Sequence, residues 1–124
     1  MWPLNHLPPP PMPQGVTEHL SDYPDLLEEL QLALNNVVLK PALSIPPFEV
    51  AIWTLKDGLG GIMGDAQGEL RKAEAAGDAL AAAQAEKKRK AASLARSSAY
   101  GMQDLDDLHQ YFEENRRALR RAAR

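Results

Sequence analysis

The chain has 124 residues, of which 44% are hydrophobic and 25% are charged, a composition typical of one globular domain. It contains no cysteine, which excludes thiol catalysis, disulfides and thiolate zinc sites and favours a cytoplasmic location. The net charge of −3 divides into −7 over residues 1–79 and +4 over residues 80–124, so the two parts can pair with each other, or the basic part can bind an acidic partner.

Residues 1–16 are predicted to form a proline-rich tail that precedes a single helical domain over residues 17–124. The four consecutive prolines Pro8–Pro11 favour an extended polyproline conformation. Large apolar side chains on such a tail are costly to leave in water, so they either fold back onto the domain or insert into a partner. Three of them form a candidate partner-binding site: Trp2, Leu4 and Leu7.

The distribution of residue types after the tail predicts an all-α protein of about four helices. All ten prolines lie at or before Pro47, and the only β-branched residue after Leu55 is Ile62. Helix interiors exclude proline, whereas strands favour β-branched side chains. The C-terminal seventy residues are therefore predicted to be helices joined by short turns.

The first two predicted helices each carry an apolar stripe at helical spacing. The first begins at Ser21, a favourable N-cap, and runs to about Leu39. The second begins near Pro46 or Pro47, and its apolar residues recur every three or four positions, as in the seam of a coiled coil. This seam consists of Phe48, Ile52, Leu55, Leu59, Ile62, Ala66, Leu70 and Ala73.

Gly77 and Asp78 decide between two arrangements of the second and third predicted helices. Glycine favours a helix C-terminus and aspartate favours an N-cap, so this pair predicts a central antiparallel helical hairpin. The alternative is one continuous helix over residues 47–98, because the apolar seam continues in phase through Leu80 and Ala83. The hairpin is preferred because it places acidic residues opposite basic ones.

A cluster of five glycines over residues 58–68 is the most unusual local feature. Glycine in a helix interior costs about 1 kcal/mol relative to alanine, so the cluster requires a compensating role. Three interpretations remain open: a close helix contact within the fold or between subunits, a kink or break in the helix, and a phosphate-binding glycine loop, which the absence of either standard phosphate-loop motif disfavours. The candidate helix-contact ridge consists of Trp53, Gly60, Gly64 and Gly68.

The last predicted helix begins near Gln103, has an apolar stripe that includes Leu108 and Phe112, and ends in a cluster of arginines. Arginines on one helix can contact the phosphates of a nucleic acid. The candidate phosphate-binding residues are Arg116, Arg117, Arg120 and Arg121.

No residue pattern predicts a catalytic site, a metal site, a bound cofactor or a membrane span. The sequence therefore favours a non-enzymatic helical protein-protein interaction module, such as a small adaptor, regulator or inhibitor of bacterial type. The expected partner is another protein or a second copy of the chain, forming a homodimer. The alternative is a nucleic-acid-associated regulator that uses the arginine-rich C-terminal helix.

Overall fold

The computed structural model of the chain describes residues 7–40 and 45–122, with side chains up to Arg120. Within these ranges the chain forms helices and no strand, which confirms the all-α prediction. The sequence predicted about four helices, whereas the described residues form six. They are α1 (Gln14–His19), α2 (Pro24–Leu39), α3 (Pro47–Ala75), α4 (Ala79–Arg96), α5 (Asp106–Glu114) and α6 (Arg116–Ala122).

The N-terminal part of the fold contains one helix that the sequence did not predict. The short helix α1 begins inside the predicted tail, directly after Pro13, and buries Val16 in the core. The following helix α2 begins at Pro24 rather than at Ser21, because the chain makes a turn over residues 20–22 first. Of its apolar stripe, Leu30, Leu34, Val37 and Val38 are buried, whereas Leu32 on the opposite side is 58% exposed.

The helices α3 and α4 are separate elements joined by a turn at Ala76–Asp78. Gly77 has a φ of +69°, which glycine adopts without strain, and the Asp78 side chain accepts a hydrogen bond from the Ala81 N–H at 3.0 Å. The chain therefore does not continue as one helix over residues 47–98. Contacts between Lys88 and Glu69, and between Arg96 and Lys56, show that α4 runs antiparallel to α3.

The buried face of α4 differs from the predicted one. The continuous-helix alternative placed Leu80 and Ala83 on the seam, but Leu80 is 70% exposed and Ala83 is also exposed. The turn at Gly77 changes the helical phase, so that the buried residues of α4 are Ala85, Ala92 and Ala95. These small side chains let α4 lie close against α3, and this packing compensates for the low apolar content of α4.

The C-terminal part contains two helices where the sequence predicted one. Asn115 separates α5 from α6, and its side-chain amide donates to the Tyr111 carbonyl at 2.8 Å. Competition of this kind between an asparagine side chain and the backbone interrupts helices. The predicted apolar stripe is nevertheless buried, with Leu108, Phe112 and Leu119 all less than 5% exposed.

Candidate protein interaction surface

The outer face of α3 is the side of this helix that points away from the core. Its opposite side buries Leu55, Leu59 and Ile62, which confirms the predicted seam at these positions. Residues at helical spacing on the solvent side share one surface, because side chains three, four and seven positions apart lie above one another. The outer face of α3, as the name is used below, consists of Trp53, Asp57, Gly60, Gly64, Gly68, Arg71 and Ala75.

The glycines of the outer face of α3 have almost no intramolecular contact. A Cβ atom added to Gly64 or Gly68 would have no described atom within 4 Å, and one added to Gly60 would meet only Arg96 Nε, at 3.8 Å. No described helix of the same chain therefore packs on Gly64 or Gly68, whereas the Arg96 side chain at the end of α4 lies beside Gly60. Helix α3 also runs uninterrupted from Pro47 to Ala75 without a glycine of positive φ, so the cluster does not break the helix.

The outer face of α3 also carries a large apolar side chain and two opposite charges. Trp53 is 52% exposed, although an indole ring of this size is usually largely buried. Asp57 and Arg71 are exposed, and neither forms a salt bridge within the part of the chain that the structure describes. Both charges are therefore available to a partner on this face.

Of the three residues of the candidate partner-binding tail, the structure describes Leu7. Leu7 is only 3% exposed and belongs to the hydrophobic core, so its side chain is not free to enter a partner. Trp2 and Leu4 lie outside the described residues. The burial of Leu7 agrees with the interpretation that the tail folds back onto the domain.

The candidate phosphate-binding arginines lie on α6. Arg116, Arg117 and Arg120 are exposed, and Arg116 donates to Glu113 at 2.7 Å across the break between α5 and α6. The side chain of Arg121 lies outside the described residues. Of these arginines, Arg117 and Arg120 form no salt bridge with another described residue.

A shallow depression at the junction of α2, α3 and α4 contains four charged side chains. Lys87 lies 3.4 Å from Asp22, and Lys88 lies 2.8 Å from Glu69. These four charged groups pair with one another, so among the described residues the depression offers no unpaired charge to a ligand. Across residues 7–40 and 45–120, no three histidine, aspartate or glutamate side chains are grouped as metal ligands.

Sequence reasoning missed two sets of contacts that organise the fold around these surfaces. Gly15 of α1 packs against the backbone of Gly101, which lies in the turn between α4 and α5. The side chains of Gln31 and Tyr111 reach the proline segment from two different helices. All four residues are remote in sequence from their partners, and no local pattern marks such contacts.

Comparison with protein-family models, with curated proteins and with solved structures found no match to this chain. None of the described helices combines the length and apolar character that crossing a membrane requires.

Proposed function

We propose that this chain is a non-enzymatic helical interaction module that binds through the outer face of α3, and that this face pairs with a second copy of itself. The observation that carries the proposal is the exposure of Trp53 on the same face as Gly64 and Gly68, which no described helix covers. Each helical glycine lowers stability by about 1 kcal/mol relative to alanine. A partner helix that packs against these positions requires them to lack side chains, and this requirement would explain why the destabilising glycines are present.

The glycines set how closely a second helix approaches. Helix axes in proteins lie about 8–10 Å apart, and the distance depends on the side chains between them. Gly60, Gly64 and Gly68 recur every four residues, so they line a strip of bare backbone along α3. A second α3 therefore fits at the short end of that range, in van der Waals contact with the strip.

The charges on this face fit an antiparallel pair with a two-fold axis at Gly64. Residues equally distant from Gly64 then face each other: Gly60 faces Gly68, and Asp57 faces Arg71. Because a two-fold interface repeats every contact, two ion pairs form at once. Trp53 of each copy faces Ala75 of the other, a small residue beside which an indole ring has room to pack.

The test measures the mass of the full chain over a concentration series by sedimentation equilibrium. The wild-type mass is expected to rise from 13.6 kDa towards twice that value. Gly64→Leu is expected to stay at the lower mass, because the leucine side chain separates the two backbones at the symmetry axis.

The matched control is Ala83→Leu, which adds the same side chain to an exposed position of α4 outside the proposed interface. It is expected to associate like the wild type. Association of Gly64→Leu as strong as that of the wild type would contradict the proposed interface.

A second candidate function is nucleic-acid binding through α6. The specific observation is that Arg117 and Arg120 are exposed without an ion pair in the described part of the chain. Binding to phosphates releases counterions, so affinity for a DNA duplex should fall steeply with salt and should weaken in a double Arg117→Gln, Arg120→Gln variant. DNA binding that changes neither with salt concentration nor in the double variant would exclude this function.

A further inference from the structure

Residues 7–13 show a burial pattern of period three. Leu7, Pro10 and Pro13 are buried and Pro8 and Pro9 are exposed, whereas Pro11 and Met12 are half-buried, with Met12 packed against the core. A polyproline II helix has three residues per turn, so every third side chain lies on the same edge. Pro13 has φ −53° and ψ 132°, values typical of this conformation. The most buried side chains of the segment therefore lie on one edge, as they would in a polyproline II helix.

Two side chains of the domain bind the backbone of this segment. The Tyr111 hydroxyl donates to the Pro8 carbonyl at 2.6 Å, and the Gln31 amide donates to the Pro10 carbonyl at 2.9 Å. A polyproline II helix makes no internal hydrogen bonds, so its carbonyls are free to accept from such donors. The Gln31 amide also donates to Asn35 Oδ1 at 2.9 Å, which fixes its orientation towards the segment.

We infer that the groove containing Gln31 and Tyr111 is a binding site for polyproline segments, and that residues 7–13 occupy it as an intramolecular ligand. The groove, called here the polyproline groove, binds main-chain carbonyls through these two donors and apolar side chains at every third position. Proline-rich ligands are generally recognised by grooves with aromatic residues in their lining, and Tyr111 supplies an aromatic ring here. The occupant from outside the chain is a proline-rich segment of a partner protein with the same three-residue spacing of apolar groups.

This site is independent of the outer face of α3, with which it shares no residue. Polyproline ligands bind with little loss of conformational entropy, because proline restricts the chain before binding. The tethered segment has a high effective concentration at the groove, so it excludes a weak external ligand unless its own contacts are lost. Access for a partner therefore depends on release of residues 7–13.

The test uses the full chain with a weakened intramolecular segment and a synthetic peptide of residues 7–13. Leu7→Asp places a carboxylate at a position that is only 3% exposed, so the segment is expected to leave the groove. The labelled peptide should then bind saturably, as measured by fluorescence anisotropy, and at least tenfold more tightly than to the wild-type chain. A peptide carrying Pro10→Asp serves as the matched control and should not bind.

The role of the Tyr111 hydroxyl as a donor is tested in the Leu7→Asp background. Tyr111→Phe removes one hydrogen bond while keeping the ring, and it should weaken peptide binding about threefold to tenfold. Far-UV circular dichroism establishes whether each variant keeps its helices. Where Leu7→Asp unfolds the domain, Pro10→Gly replaces it as the milder change.

Three results would overturn the inference. The first is a folded variant that does not bind the peptide, and the second is binding that Tyr111→Phe leaves unchanged. The third is unfolding of both segment variants, which would show that residues 7–13 are an integral part of the core and not an exchangeable ligand.

Discussion

Two glycines of this chain should respond in opposite directions to the same substitution. Gly64→Ala should raise the stability of the monomer, and Gly101→Ala should lower it. A Cβ atom on Gly64 would have no described neighbour within 4 Å. A Cβ atom on Gly101 would lie 2.5 Å from the Ala95 carbonyl carbon and still closer to the Ala95 oxygen.

The size of each effect follows from these distances. In an open helical position, replacing glycine by alanine stabilises a helix by about 1 kcal/mol. At Gly101 the nearest atoms belong to the backbone, so the helix end or the turn has to move, and overpacking typically costs about 1–3 kcal/mol. Gly101 does not have a positive φ, so this cost is steric. The two variants should differ by about 2–4 kcal/mol in free energy of unfolding.

The assay is thermal unfolding followed by far-UV circular dichroism at low protein concentration, where self-association does not contribute. For a domain of this size, 1 kcal/mol corresponds to about 4 °C, so the melting temperatures should differ by roughly 8–16 °C. Gly15→Ala tests the same contact from the other side, since its Cβ atom would lie 2.5 Å from the Gly101 oxygen. Its melting temperature should be lowered, as that of Gly101→Ala is. Equal melting temperatures for Gly64→Ala and Gly101→Ala would refute the packing described here.

Three further predictions concern the core, the helical phase and the proline contact. Leu59→Asp should reduce the free energy of unfolding, measured by chemical denaturation, by at least about 3 kcal/mol, because it places a carboxylate at a fully buried site. Glu86→Ala, by contrast, should leave the unfolding midpoint nearly unchanged. Leu80→Lys should also be nearly neutral, since Leu80 is 70% exposed; a large loss would instead support the seam predicted from the sequence. Burial raises the pKa of Tyr111 to about 12, which favours the neutral phenol in the folded state. The stabilising contribution of the neutral Tyr111 side chain should therefore be intact below about pH 10 and lost between about pH 10 and 12. Over that pH range, the free energy of unfolding of the wild type should decrease more than that of Tyr111→Phe.

Local sequence patterns were sufficient for much of the helical architecture. The periodic apolar residues of α3 predicted the buried positions Leu55, Leu59 and Ile62, because burial on one side of a long helix repeats with the helical period. Gly77 and Asp78 predicted the turn after α3, because each residue type has a conformational or capping preference of its own. These are properties of single helices and their ends.

The features that the sequence did not reveal depend on contacts between distant residues. The phase of α4 changes because the turn at Gly77 reorients the chain, and this exposes Leu80 although it lies in phase with the preceding seam. The short helix α1 is held by the backbone contact of Gly15 with Gly101, which no periodicity marks. The hydrogen bond from Tyr111 to the Pro8 carbonyl joins residues at opposite ends of the chain, so it requires the whole fold.

The candidate surface on α3 was predicted in part. The spacing of Gly60, Gly64 and Gly68 identified the ridge, because i,i+4 positions share one side of a helix. The sequence left open whether the ridge packs within the fold, and the structure leaves it uncovered by any described helix. Asp57 and Arg71 became part of the surface only when it was known that both are exposed and form no ion pair with another described residue.

The central claim, that α3 pairs with a second copy about Gly64, is tested most directly by exchanging its two charges. Asp57→Arg and Arg71→Asp should each remain monomeric alone, because each places like charges opposite one another in both halves of the interface. Mixed in equal amounts, the two variants should form a heterodimer. The arginine introduced in one variant then faces the aspartate introduced in the other, and the unchanged Arg71 of the first faces the unchanged Asp57 of the second. Sedimentation equilibrium of the mixture should therefore give about twice the mass of either variant alone, whereas a mixture that stays at 13.6 kDa would contradict the proposed pairing.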